Sequence, residues 1–327
     1  MVKQHYRIAL FCAFFGEFPW YFPYFAKSCE FNPDVHFYIV SDSTPEIVLP
    51  NNITIIPSSF SEFKIKVQER LGFKIQIDRP YKLCDFKPCY GVIFSDIIEE
   101  GNYDFWGHCD IDVVFGRIRK FINDDLLANY DIISVRHEYT SGFFMLYRNE
   151  LHINTLFRKS KDYIHVLGSP KSYCFDECSY HHRALIAGRS IESIQNHIDA
   201  MTFVIKREEK KGTLRACFEL FALEGTPGSV VWANGSLCVE NQIEALLYHI
   251  MQIKGRPTFN GLTPAKIPDI FEFTPHLVRF PKERFGLQTE LPTLNTAIYL
   301  KEPLVQIIFG AYQKGLSGKF RACGAFA

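Results

Sequence analysis

The sequence predicts an α/β fold, a mainly parallel sheet with helices on both faces, followed by a mixed C-terminal extension. Three observations carry this expectation. Strand-like and helix-like segments alternate through the first 135 residues, as in repeated βαβ units. The first strand reads as a continuous apolar run of strand length. Hydrophobic residues make up 47% of the 327 residues, enough for a large domain with a sizeable core.

Taken in order, "RIALFCAFF" is the first strand and "GEFPW" breaks it. "PYFAKSCEF" reads as a short helix, and "DVHFYIVSD" as a second strand ending in Ser41-Asp42. "NITIIPSS" gives a third strand, and "SEFKIKVQERLG" a helix stopped by Gly72. A longer helix is expected over much of "YKLCDFKPCYGVIFSDIIEEG", started or kinked by Pro88. "YDFWGHCDIDVVFG" and "YDIISVRH" continue the strand pattern. In the second half, "SGFFMLYRN" predicts a strand and "SYHHRALIAG" a helix ended by Gly188. Asn234-Gly235 inside "SVVWANGSLCV" signals a type I′ hairpin. "QIEALLYHIMQIKG" starts like a helix; from about Arg256 a Pro-punctuated loop leads to a helix candidate, "PLVQIIFGAYQKGLSGKF".

Lys plus Arg equals Asp plus Glu at 36 each, which argues against a general nucleic-acid binder. The balance is uneven, because residues 254–327 hold ten basic groups against five acids. None of the ten cysteines forms a C-x-x-C pair, so neither a zinc site nor a disulfide framework is expected, and reduced thiols in a cytoplasmic protein are. The apolar run near the N-terminus is short and lacks a cleavage-type flank, so it reads as a strand and not a signal peptide. No stretch of 18 apolar residues exists to span a membrane.

The informative stretch is "YDFWGHCDIDVVFGRI". It is apolar enough for a buried strand, yet Asp110 and Asp112 lie near its end, where unpaired burial would cost several kcal/mol. Two residues apart on extended chain, they share a face and suit a hard divalent cation, Mn²⁺ or Mg²⁺. Capped or solvated loop carboxylates are the plain alternative. Ligands in such sheets bind beyond the carboxyl ends of the strands, so Asp42 is a second candidate there, for a base or ribose contact or for a turn cap. Phe14 and Gly16, in the turn after strand one, are candidates for packing against a nucleobase.

This ordering resembles the GT-A-fold glycosyltransferases, and within them glycogenin and the bacterial lipopolysaccharide and capsule transferases, over residues 5–255. The resemblance implies a GT-A-like, Rossmann-like catalytic domain at 1–255, with a nucleotide-binding half at 1–118 and a donor-sugar and acceptor half at 119–255. A basic extension occupies 256–327. The resemblance implies that Lys82 and Lys87 of "YKLCDFK" contact the donor, and that Ser141-Gly142 of "TSGFFMLY" lie against its sugar. It further implies that the acidic pair Asp176 and Glu177 of "FDECSYHHRAL" opens a helix near the reacting carbon. His249 becomes a third metal ligand and Lys254 a phosphate contact, although "YHIMQIKGRP" lacks the family's intervening Gly and is one residue shorter.

The function so implied is metal-dependent transfer from a nucleoside-diphosphate sugar, UDP-sugar favoured, to a glycan or lipid-linked acceptor in cell-surface polysaccharide synthesis. Inversion and retention both stay open, and the resemblance to glycogenin leans weakly toward retention. The expected location is cytoplasmic, at the inner membrane face if the basic C-terminal helix docks on anionic lipid instead of packing back on the domain. Two other classes remain open. "DIDVV" also fits the D-x-D-x-T/V pattern of haloacid-dehalogenase-like phosphatases, though about three strands precede it. A non-catalytic nucleotide-sugar-binding module is the other.

Overall fold

The apolar runs assemble into one seven-stranded sheet. The computed structural model describes residues 5–240, 243–256 and 266–280. Strands β1 (Ile8–Ala13), β2 (Val35–Ser41), β3 (Ile53–Pro57) and β4 (Phe105–Cys109) are followed by β5 (Val113–Phe115), β6 (Ile132–Ser134), β7 (Phe144–Arg148) and β8 (Ala216–Cys217). The sheet order is β3-β2-β1-β4-β7-β6-β8. β1 runs parallel to β2 and β4, β2 to β3, and β6 to β8. β7 is antiparallel to both β4 and β6. The sheet is therefore mainly parallel, with a reversed strand near its centre.

Both faces are covered. Ala9 and Phe11 of β1, Trp106 of β4 and Met145 and Tyr147 of β7 pack into one core cluster; Ile8, Leu10, Phe105, Phe144 and Leu146 pack into the other. That alternation is the two-residue period of a pleated strand buried on both sides. Helix α1 (Phe22–Glu30) lays Phe22, Phe25, Ala26 and Cys29 on the second face. Helix α2 (Phe60–Leu71) lays Phe63, Val67 and Leu71 on the first. Its ends are written in the sequence: Ser59 and Glu62 form a reciprocal capping box, and Gly72 stops it in the left-handed region at φ 77°.

The long helix expected over residues 81–101 is instead broken. Pro80–Cys89 is a 3₁₀ segment, followed by the short helices α3 (Tyr90–Ile93) and α4 (Ser95–Glu100). Proline near both ends of the segment removes backbone donors and favours the tighter turn. Lys82 and Asp85, three residues apart, eclipse on such a turn and pair at 2.8 Å.

The second half adds two smaller sheets. β9 (Leu223–Glu224), β10 (Val230–Ala233), β11 (Ser236–Val239), β12 (Ile243–Glu244), β13 (Leu247–His249), β14 (Ile270–Phe273) and β15 (Val278–Arg279) form the orders β12-β11-β10-β14-β15 and β5-β13-β9. Asn234 at φ 49° and Gly235 at φ 85° make the expected β10–β11 turn. The helix-like reading of residues 242–255 is overturned. Residues 243–250 are buried throughout, and β13 pairs with strands on both sides; a short, fully buried apolar run does not by itself distinguish helix from strand. β14 and β15, beyond the expected boundary at 255, pair with β10 and with each other. The C-terminal helix candidate at 303–320 lies outside the described residues. The nine described cysteines are free thiols, seven of them buried. Among the described residues no helix is long and apolar enough to cross a membrane.

Candidate functional site

Strand pairing, not sequence proximity, builds the site. β4 pairs with β7 so that Cys109 faces Phe144. The chain leaving β4 therefore meets the chain entering β7, and the Asp110 N–H donates to the Phe143 carbonyl at 3.1 Å. Beyond Asp112, Val113 of β5 pairs with His249 of β13, which pairs with Glu224 of β9. Asp110, Asp112, Gly142 and His249 are thereby gathered at one rim of the large sheet.

Asp112 is buried, and its Oδ2 accepts from Lys254 Nζ at 2.6 Å while lying 3.3 Å from His249 Nε2. Burial opposes its charge, but His249 and Lys254 outweigh burial and hold the carboxyl well below the usual aspartate range. His249 Nδ1 lies 2.9 Å from Glu224 Oε1, and Glu224 is itself paired with Arg136. Carboxylates thus face both ring nitrogens, and the Glu224 contact orients the ring as the outer partner of a metal-binding imidazole does. The Phe143 ring stacks on this imidazole at 4.1 Å.

Asp110 has a different partner. Lys87 Nζ donates to Asp110 Oδ1 at 2.5 Å and to the Gly142 carbonyl at 2.6 Å. Burial alone would lower the lysine pKa; Asp110 more than compensates and keeps the ammonium charged. The expected ligand set is thus divided: Asp112 and His249 are adjacent, while Lys87 engages Asp110.

Gly142 is also where the acid pair arrives. Its N–H donates to Glu177 Oε1 at 3.0 Å. A Cβ built there would lie 2.9 Å from Asp176 Oδ2 and 2.9 Å from Glu177 Oε1, so both carboxylates close over a position that only glycine fills without displacement. Asp176 is buried, and burial pushes its carboxyl well above the ordinary range; Lys87 opposes this and Glu177 reinforces it. Glu177 Oε2 lies 2.7 Å from His182 Nε2 and accepts from the Cys174 thiol at 3.3 Å. Burial would lower the His182 pKa, but Cys174 and Glu177 raise it to about 9. The pair does not open a helix: it sits in a turn, and the nearest helix is the five-residue His182–Ile186. Thr140 Oγ1 and Thr202 Oγ1 donate to the Asp176 and Glu177 carbonyls at 2.7 Å each, fixing that turn.

Lys82 is a correction. Its ammonium spends all three donors inside the protein, on Asp85 Oδ2 at 2.8 Å and on the carbonyls of Val166 and Lys171 at 2.7 and 2.6 Å. Five residues apart on a 3₁₀ turn, Lys82 and Lys87 point about 120° apart, so Lys82 faces away from the rim. Asp85 then accepts the N–H groups of Tyr173 and Phe175 at 2.9 and 2.8 Å. The pair braces the segment that carries the acids and is not available to a donor.

Gly16, Asp42 and Phe14 lie on neighbouring loops of the same rim. The Gly16 N–H donates to Asp42 Oδ1 at 2.8 Å, tying the loops after β1 and β2. Phe14 is half-buried and stacks on Phe18 at 5.4 Å. Further along this loop, Trp20 Nε1 donates to the Lys254 carbonyl at 3.0 Å. Ser141 Oγ is enclosed and, among the described residues, has no hydrogen-bond partner. A groove of about 840 Å³, lined by His137, Glu138, Lys161, Leu185, Arg189 and Lys206 among others, contains none of the rim residues described above.

Glu224, Arg136 and Cys174 carry no expected role in the sequence, and His182 opens the helix expected over "SYHHRALIAG" without one. The first two carried no motif and join only through β9–β13 pairing; the last two were legible only as "CFDECSYHH" beside the acids.

No curated protein matches the chain by sequence. Three solved structures superpose loosely. A galactosyltransferase LgtC with donor and acceptor sugar analogues matches at 12% identity and TM-score 0.32, over 63% of this chain and 96% of that one. An active-site mutant of LgtC matches at 11% and 0.30, over 66% and 75%. Mouse xyloside xylosyltransferase 1 in its apo form matches at 12% and 0.33, over 80% and 99%. Likeness this loose decides nothing about activity. By sequence, residues 10–265 match a family described as of unknown function (DUF6625), and the chain belongs to that family.

Proposed function

We propose that the chain is a metal-dependent glycosyltransferase using a nucleoside-diphosphate sugar, UDP-sugar first among them, with a glycan or lipid-linked acceptor. The observation that carries this reading is the convergence on Gly142: Lys87, paired with Asp110, donates to its carbonyl, and Glu177 accepts from its N–H. The motif resemblance reached these same positions from sequence.

The donor types suit a divalent ion, but their atoms are not gathered: Lys87 holds Asp110 apart from Asp112 and His249. Two carboxylates and an imidazole backed by Glu224 suit Mn²⁺ or Mg²⁺ at Asp110, Asp112 and His249. When bound, such an ion supplies Lewis-acid neutralisation of the leaving diphosphate. Lys87 and Lys254 supply fixed positive charge beside it; both ammoniums now rest on the aspartates and are the donors that phosphate oxygens would recruit. Gly142 leaves room for the sugar, and the Glu177 carboxylate, oriented by His182 and the Gly142 N–H, faces positive charge developing at the anomeric carbon. Asp176, whose carboxyl burial pushes well above the ordinary range, stands beside Glu177 against Gly142. A carboxylate on the sugar face inclines the reading toward retention.

The test is a thermal-shift panel of UDP-, GDP-, CMP- and dTDP-sugars with and without Mn²⁺. A donor at one hundred times its Kd stabilises by about 2.7 kcal/mol. Stabilisation by one nucleotide sugar, dependent on Mn²⁺ and abolished in Asp112→Asn, is expected, together with nucleoside-diphosphate release on turnover. Phosphate release from sugar phosphates would instead support the phosphatase reading, and binding without turnover the non-catalytic one.

A further inference from the structure

Beside the rim lies a group of side chains that this function does not use as a set. Among the described residues, Cys174, Glu177 and His182 are the three whose ligand atoms all lie within 4.8 Å of one another. Their separations are Sγ to Oε2 3.3 Å, Sγ to Nε2 3.6 Å and Nε2 to Oε2 2.7 Å.

A zinc ion holds sulfur at about 2.3 Å and nitrogen or oxygen at about 2.0–2.2 Å. In a tetrahedron those bonds set ligand–ligand edges of about 3.5 Å to sulfur and about 3.4 Å between nitrogen and oxygen. Two of the three observed edges already stand near those lengths. Only the Nε2 to Oε2 edge must open, exchanging a hydrogen bond for two metal bonds. The three atoms are also of the kinds that together prefer a borderline cation: thiolate and imidazole select Zn²⁺ over Mg²⁺. Both carboxylate and imidazole keep partial solvent access, with side-chain exposures of 14% and 16%.

We infer that Cys174, Glu177 and His182 form a second metal site, separate from Asp110 and Asp112, that binds Zn²⁺ or a similar thiophilic divalent cation with a fourth position open. The set is mixed, so no C-x-x-C spacing announces it. Glu177 Oε1 remains on the Gly142 N–H while Oε2 turns to the ion, which ties the site to the rim without sharing a ligand with it. The inference does not rest on the transferase reading.

The test uses the full chain, stripped of metal and reduced. Titrated with Co²⁺, it should develop a thiolate-to-cobalt charge-transfer band that Zn²⁺ displaces. Cys174→Ser should abolish the band, and His182→Gln should weaken cobalt binding at least tenfold. Asp112→Asn should leave it, because an aspartate site yields no thiolate band. Because a variant can misfold, the wild-type chain supplies a second measurement: Zn²⁺ should slow alkylation of Cys174 by iodoacetamide, mapped by mass spectrometry, and EDTA should restore it. Absence of the band, its survival in Cys174→Ser, or alkylation of Cys174 at the same rate with and without Zn²⁺ would overturn the site.

Discussion

Gly142→Ala is the sharpest single perturbation. The added methyl would sit 2.9 Å from each acid oxygen and 3.1 Å from Glu177 Cδ, where ordinary contact begins at 3.4 Å, so each carboxylate must retreat by about 0.5 Å. The obstructing atoms are the ends of side chains, so the backbone need not move, and overpacking should cost the low end of the usual range, about 1 kcal/mol. The retreat stretches the 3.0 Å bond from the Gly142 N–H to Glu177, a bond to a charged group worth about 1.5–3 kcal/mol. Since a misplacement of 1 Å can cost about a hundredfold in rate, turnover should fall about ten- to a hundredfold. The assay is nucleoside-diphosphate release at saturating donor, paired with a melting curve. Wild-type turnover in the variant would refute the placement of the sugar at Gly142. A melting loss well above the stated cost would refute the claim that the carboxylates give way.

Three other outcomes are expected. Lys82→Met should lower stability by about 3–5 kcal/mol in urea unfolding, because it strands the Asp85 charge inside the protein; a loss under 1 kcal/mol would show the pair is dispensable. Glu177→Gln should lose turnover while keeping donor affinity, and Asp176→Asn, which keeps a neutral hydrogen-bonding group, should lose far less; equal effects would undo the division of roles. Glu244 is held below the usual glutamate range, burial being outweighed by Arg117 and Lys120. A depressed folded pKa contributes stability above the unfolded value of about 4.3, and that contribution is lost as pH falls through the folded value. Glu244→Gln should therefore be less stable than wild type at pH 7, with the gap closing in acid; a gap constant with pH would refute the linkage.

The large sheet was legible because its signals are local: apolar runs of strand length, the Ser59–Glu62 box, Gly72 and the Asn234-Gly235 turn. Asp110, Asp112, Lys87, Gly142, Glu177, His249 and Lys254 were all named from spacing and resemblance, and all are joined at the rim. What failed was decided by tertiary pairing. Residues 247–249 form a strand because β5 and β9 sit on either side. Lys82 turned inward because a 3₁₀ turn set its direction and Asp85 was there to receive it. Glu224 and Arg136 enter the site from segments whose sequence says nothing of each other.

The reversed strand β7 gives the rim its ruler. A slip of one residue along β4 would carry Gly142 about 3.4 Å past Asp110 and turn every side chain of the strand to the opposite layer. Gly107 guards against such sliding, since a Cβ there would stand 2.1 Å from the Met145 carbonyl oxygen and prise the two strands apart. The spacing of Asp110 from Gly142, at the end of these two strands, is thus gauged by a ladder of backbone bonds. Insertions beyond Asn149 or before Arg7, at the far margin, should leave that span untouched.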